Sequence, residues 1–185
     1  HEYADQWLEL SVAPTEGVAV GLAHDAHRLD EIDQLLALDQ TLTAIKSSRE
    51  AFEASSVTGR ATLRTVEEAF GVQGHAYADA TRSGTAAGHA AIVFGVYARA
   101  HNVARETAVS AYLFTAYSNL VGVVGRLLPL GQRDVQGLLA DSRDLVQRCA
   151  DRAATMTLDD ICSMTPLLEI AGMRHERLTT RLCIS

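Results

Sequence analysis

Arg105-Glu-Thr-Ala-Val-Ser-Ala-Tyr-Leu-Phe-Thr-Ala-Tyr-Ser-Asn-Leu-Val-Gly-Val-Val-Gly-Arg-Leu-Leu128 decides the fold class. Leu113, Tyr117, Leu120, Val121, Val124 and Leu128 recur at helical spacing and share one broad face. Gly122 and Gly125 lie inside this helix, where each costs about 1 kcal/mol against alanine. Glycine is tolerated at such positions when a neighbouring backbone comes close. The stretch is therefore expected to be the central, most buried helix of an α-helical protein.

The flanking sequence keeps the same period. Glu16 to Leu29 and Asp30 to Ile45 read as helices, the second carrying Ile32, Leu35, Leu36, Leu42 and Ile45, with Asp30 as its N-cap. Arg49 to Phe70 continues the pattern and stops at Gly71-Val-Gln-Gly74. Thr81-Arg-Ser-Gly-Thr85 reads as a loop, followed by a short apolar helix from Ala86 to Ala100. Beyond the break at Pro129, Gln132 to Ala154 reads as one helix through Val135, Leu138, Leu139, Val146 and Cys149. Pro166 opens the last helix, where a missing N–H costs least. No segment alternates with period two, and no internal repeat, linker or low-complexity tract occurs. The expected architecture is a single all-α domain spanning residues 1–185, with roughly seven to ten helices.

Composition agrees. Hydrophobic residues make up 48% of the 185 and aromatics only 5%, so the core is built from Ala, Leu and Val. That palette suits close-packed helices better than a sheet. A net charge of −7 argues against nucleic acid or an anionic membrane as the partner. Basic residues are nearly all arginine, Lys46 being the only lysine. Cys149, Cys162 and Cys183 are odd in number and widely spaced, which fits a reducing cytoplasm better than a disulfide framework. The longest apolar stretch, Val109 to Leu130, is interrupted by Tyr117, Ser118, Asn119 and Arg126, so no membrane span is expected.

Several chemistries fail on spacing. Lys46-Ser47 has no glycine-rich loop ahead of it, so the chain is not itself a P-loop GTPase or ATPase. His175-Glu176 begins like a zinc-protease motif, but Thr179 stands where the second histidine is required. His24 and His27 share a helix face near Asp25. With His89 they leave open a metal-binding protein or helical-bundle enzyme, although two histidines on a surface helix are usually no site. His89, beside Ala90, Ala91, Ile92 and Phe94, reads as a core histidine bonded to a carbonyl or carboxylate. A small-molecule pocket along Arg105 to Leu128 is a third reading. No nucleophile, base and orienting acid fall together.

Two stretches carry more polar capacity than their places need. Arg126-Leu-Leu-Pro-Leu-Gly-Gln132 turns a tight corner through Pro129 and Gly131, presenting Arg126, Gln132 and Gln136. The ordinary account is a capped helix–helix turn. The C-terminus, Arg174-His-Glu-Arg-Leu-Thr-Thr-Arg-Leu-Cys-Ile-Ser185, crowds Arg174, His175, Glu176, Arg177 and Arg181 onto a helix end. Basic residues there simply favour the negative end of the helix dipole, or they grip another protein.

Together these stretches resemble the urease accessory protein UreF family. The resemblance rests on Arg126-Leu-Leu-Pro-Leu-Gly-Gln132, Pro166-Leu-Leu-Glu-Ile-Ala, and Met173-Arg-His-Glu176 with Arg181-Leu182 and Ser185. His89 with Gly95, and Arg49-Glu50 leading into Gly59-Arg60, agree with it. It runs from about Asp30 to Ser185, and the family's N-terminal segment has no match before His1. The resemblance implies an all-α, non-enzymatic homodimer without a cofactor of its own. It implies joining a second accessory protein, UreD (UreH), and recruiting the nickel-carrying GTPase UreG to apo-urease, with nickel and GTP handled by those partners. The implied partner-binding residues are Arg126, Gln132, Gln136, His175, Glu176, Arg177 and Arg181.

Overall fold

The computed structural model describes residues 2–71, 75–128 and 130–178, with residues 28 and 29 described by backbone alone. The described residues form ten α-helices and no strand. The chain begins as a continuous helical rod. α1 (Glu2–Trp7) runs through a π-helical segment (Leu8–Gly17) into α2 (Val18–Leu29), with Trp7 and Gly17 both in right-handed helical geometry. There follow α3 (Ile32–Ile45), α4 (Arg49–Phe70), α5 (Ala76–Ser83) and α6 (Ala90–Ala100). α7 (Arg105–Leu127), α8 (Gln132–Asp141), α9 (Arg143–Ala154), a 3-10 turn (Leu158–Asp160) and α10 (Pro166–His175) complete the order.

The widened first turns answer a specific problem. Pro14 has no N–H, and in an α-helix that N–H would serve the carbonyl of Leu10. Here Leu10's carbonyl accepts from the amide of Met164 at 2.9 Å, and Pro14's carbonyl accepts from that of Cys162 at 3.4 Å. The segment before α10 is thereby strapped across the π turns. The helix expected to start at Glu16 thus extends back through the π turns to Glu2.

The centre of the domain is α2 crossing α6, not α7. Val18, Ala19, Val20 and Ala23 of α2 and Ala91, Ile92, Val93 and Val96 of α6 are fully buried. A Cβ on Gly95 would run into the Val20 carbonyl, so the glycine sets the crossing distance. α7 buries a stripe of Ala108, Val109, Leu113, Tyr117 and Val121, whereas Leu120 and Val124 are half-buried and Leu128 is exposed. Gly122 faces open space, and Gly125 has only a Val135 methyl nearby. The expectation that these glycines mark a close backbone approach is therefore corrected. By length and mean hydropathy (1.3) α7 is apolar enough to cross a membrane, contrary to the sequence reading. Its buried stripe instead packs on α2, α6, α9 and the π-helical segment.

Other boundaries shift for local reasons. Asp30 adopts φ 58 and closes α2 as a left-handed cap, and Glu31 takes the N-cap position of α3. Thr81, Arg82 and Ser83 belong to α5, whose N-cap is His75; the loop begins at Gly84. α6 starts at Ala90 and not at Ala86. The predicted single helix from Gln132 to Ala154 is divided at Ser142, whose Oγ bonds back to the Leu139 carbonyl at 2.9 Å. α4 follows the sequence reading, with Ser48 capping Ala51 N–H and Gly71 at φ 69; residues 72–74 lie outside the described residues.

Candidate functional site

The polar residues singled out in the sequence fall on two regions of the surface. Arg126, Gln132 and Gln136 are all exposed at the junction of α7 and α8. Pro129 lies outside the described residues, but the start of α8 is explicit. Asp134 Oδ2 accepts from Gly131 N–H at 3.0 Å, which secures the turn. The corner thus includes a capped helix start that needs none of the three long side chains.

The second region is α10. It buries no residue, and Pro166 occupies its first turn. Leu168, Gly172 and His175, at i, i+4 and i+7, form its inward edge. A Cβ at Gly172 would meet Ser48 Oγ at 3.5 Å, so α10 lies directly on the cap of α4. His175 Nδ1 meets Glu50 Oε2 at 2.8 Å, and Arg49 N–H donates to Glu176 Oε1 at 2.5 Å. Both carboxylates stand at the positive end of the α4 dipole. Arg174 and Arg177 are exposed; Arg181 lies outside the described residues.

The outward edge of α10 is apolar, and the sequence reading missed it. Leu167 is 81% exposed, Ile170 41% and Met173 41%. Their i, i+3, i+6 spacing was available in the sequence, but nothing local says which edge of a short helix faces the body. Met164 before the helix and Leu178 after it are exposed as well. Contiguous exposed apolar side chains rimmed by charge mark protein contact surfaces.

Between α10, α4, α7 and the π-helical segment runs a trough of about 740 Å³. Its floor includes Trp7, Leu42, Phe94 and Leu120. Lys46 Nζ donates to Glu16 Oε1 at 2.7 Å, and the Tyr112 hydroxyl donates to Glu16 Oε2 at 3.2 Å. Burial, reinforced by Glu16, raises the Tyr112 hydroxyl well above its ordinary range. The ammonium of Lys46 is thus already spent on an internal partner.

The histidines do not converge on one point. His24 is buried rather than on the surface, its Nε2 bonded to the Val103 carbonyl at 2.9 Å. His27 stacks on His75 with ring centroids 4.7 Å apart. His89 is fully buried between two hydroxyls, Ser55 Oγ at 3.1 Å and Thr43 Oγ1 at 3.0 Å, where a carbonyl or carboxylate was expected. Burial holds His27 and His89 below the ordinary histidine range. Among the described residues no group of three or more His, Cys, Asp or Glu side chains is placed to hold a metal.

The comparisons with known proteins agree on one family. The UreF family's sequence model matches residues 1–143, so the match reaches the first residue, well before the Asp30 from which the resemblance was read. A "Urease accessory protein UreF" of Paenarthrobacter aurescens is 36% identical over 180 residues, covering 97% of this chain and 80% of the relative. The protein of the same name in a Bacillus species is 34% identical, covering 92% of this chain and 76% of the relative. That of Sporosarcina pasteurii is 28% identical over 99% of this chain and 91% of the relative. The family is one of accessory proteins and not of enzymes. The chain belongs to the UreF family of urease accessory proteins.

Proposed function

We propose that this chain is a scaffold for urease maturation. It joins a second accessory protein, UreD (UreH), and together they recruit the nickel-carrying GTPase UreG to apo-urease in the cytoplasm. The scaffold works as a homodimer and regulates the GTPase, while nickel and GTP are handled by the partners. The observation that carries the reading is α10, a helix with no buried residue whose outer edge presents Leu167, Ile170 and Met173 to solvent. Arg174 and Arg177 would rim that contact, Arg126, Gln132 and Gln136 would serve a second one at the α7–α8 corner, and Arg181, outside the described residues, is proposed from the family resemblance alone as a further partner-binding residue. A helix that lays its apolar edge into a partner's groove is read by such regularly spaced anchors.

The test is co-purification of the chain with UreD and UreG, with mass measured by light scattering after size exclusion. A ternary complex containing two copies of this chain is the expected result. Absence of any complex with both folded partners at micromolar concentration overturns the scaffold reading.

A further inference from the structure

The trough between α4 and α7 has no part in the scaffold reading. Both helices pack on α6, and the space between them stays open, with a volume of about 740 Å³. Ala51, Ala54 and Thr58 wall it on α4, and Ala116, Leu120 and Val123 wall it on α7. These side chains are short or apolar, so they leave room without offering a counter-ion. Of the charged side chains that line it, Glu16 and Lys46 neutralise each other at 2.7 Å, and Glu169 is itself an anion. One polar group on the wall is different. Ser55 is only 8% exposed, and its Oγ lies 3.1 Å from His89 Nδ1, while the other ring nitrogen meets Thr43 Oγ1 at 3.0 Å. Burial holds His89 below the ordinary histidine range, so the ring is neutral near pH 7. A neutral imidazole gives Ser55 either an N–H or a lone pair, never both. In either case the Ser55 hydroxyl keeps unused hydrogen-bonding capacity, and among the described residues His89 is its one partner. A mostly apolar space of this size with a few fixed polar points is the usual form of a small-ligand site.

We propose that the trough binds a neutral amphiphile, an apolar chain carrying one hydroxyl or carbonyl oxygen, with that oxygen on Ser55 Oγ and the chain between α4 and α7. Covering the two apolar walls supplies the driving force. His89 holds the Ser55 hydroxyl in place, so the ligand's oxygen regains the hydrogen bond that it loses from water. A charged head would shed its water and find no free counter-ion for an anion and no second carboxylate beside Glu169 for a cation. The site does not depend on the scaffold reading.

The experiment uses Trp7, the only tryptophan, which lies on the trough floor. A bromine atom in contact with an indole quenches its fluorescence, so ω-bromodecanol is titrated into the full chain. Saturable quenching that unbrominated decanol reverses is expected. Ala54→Phe, a change at an exposed position that fills the trough, should abolish the quenching and leave the melting temperature nearly unchanged. Ser55→Ala should weaken the alcohol by about tenfold and leave bromodecane, which has no oxygen, unchanged. ω-Bromodecanoate and ω-bromodecylammonium should bind at least about tenfold more weakly than the alcohol. Absence of saturable quenching in wild type overturns the site, as does quenching that survives Ala54→Phe. An equal loss of alcohol and bromodecane in Ser55→Ala overturns the hydroxyl contact, since the wall itself would then have moved. A charged probe that binds as tightly as the alcohol overturns the neutral class. If wild type shows no quenching and Ala54→Phe halves the mass measured by light scattering, the trough belongs to a second copy of the chain and the ligand site is overturned.

Discussion

Gly59 of α4 lies so close to the carbonyl oxygen of Gly88 that a methyl group has no room between them, and Ala90 N stands 2.7 Å from where that methyl would be. Both neighbours are backbone, so neither can swing aside. The approach lets α4 run against the loop that enters α6. It also brings Ser55 of α4 to His89 Nδ1, while Thr43 of α3 meets the other ring nitrogen.

Gly59→Ala is therefore expected to destabilise the domain by about 2 to 3 kcal/mol, as overpacking of a rigid site does. Gly122→Ala, where the added methyl meets nothing, is expected to stabilise by about 0.5 to 1 kcal/mol through helix propensity. Urea unfolding of the two variants reads the difference, and equal effects would show that α4 and the loop are not held as described.

Asp39 organises the same loop from the other side. Its carboxylate accepts from the Tyr77 hydroxyl at 2.5 Å, from Ala87 N–H at 2.8 Å and from Gly88 N–H at 3.1 Å. Asp39→Ala strands three donors and is expected to cost about 3 kcal/mol or more, whereas Tyr77→Phe removes one bond and costs about 1 to 2. A denaturation series in which Tyr77→Phe is as damaging as Asp39→Ala would contradict this hub.

His75 gives the fold a pH limit. Its Nδ1 accepts from Tyr77 N–H at 3.0 Å, which caps α5, and its ring lies between those of His27 and Tyr97. Burial first, then the neighbouring His27, lowers its pKa from 6.5 to about 4. The folded state thus binds fewer protons here than the unfolded chain does. The contribution is full above pH 6.5 and is lost as pH falls toward 4. Asparagine is a good N-cap that does not titrate. Thermal melts between pH 7 and 4 should show a steeper decline in wild type than in His75→Asn; parallel declines would remove His75 as the cause.

The apolar edge of α10 is expected to matter for association and not for stability. Ile170→Glu and Leu167→Glu should leave the unfolding free energy within about 0.5 kcal/mol of wild type, as exposed substitutions do. Each should weaken UreD binding by at least about tenfold. A titration calorimetry result with unchanged affinity in both variants would move the contact elsewhere.

The thiols should divide by environment. Cys149 is buried against the π turns and burial raises it to about 11, while Cys162 is exposed. Alkylation of the native chain followed by peptide mass mapping should label Cys162 promptly and Cys149 only on unfolding. Equal labelling would mean that α9 opens readily from the π-helical segment.

Much of this protein was determined by its sequence alone, wherever the deciding signal is local. The Arg49–Phe70 helix was legible because Ser48 and Gly71 supply its caps and the apolar period lies between them. The all-α class followed from periodicity, and the family from residues at the α7–α8 corner and the C-terminus. Tertiary structure decided the rest, because the deciding partners lie far apart in the chain. The helical run reaches back past Pro14 to Glu2, ahead of the expected start at Glu16, and Met164, 150 positions after that proline, supplies an amide to the Leu10 carbonyl. His24 reads as a surface residue until the Val103 carbonyl claims it. The charged end of α10 reads as one uniform patch until Glu50 and the Arg49 amide take His175 and Glu176 and leave the arginines outward. Local propensity sets where a helix runs; which of its edges meets the body, and which is left for a partner, depends on surfaces that exist only once the distant segments have packed.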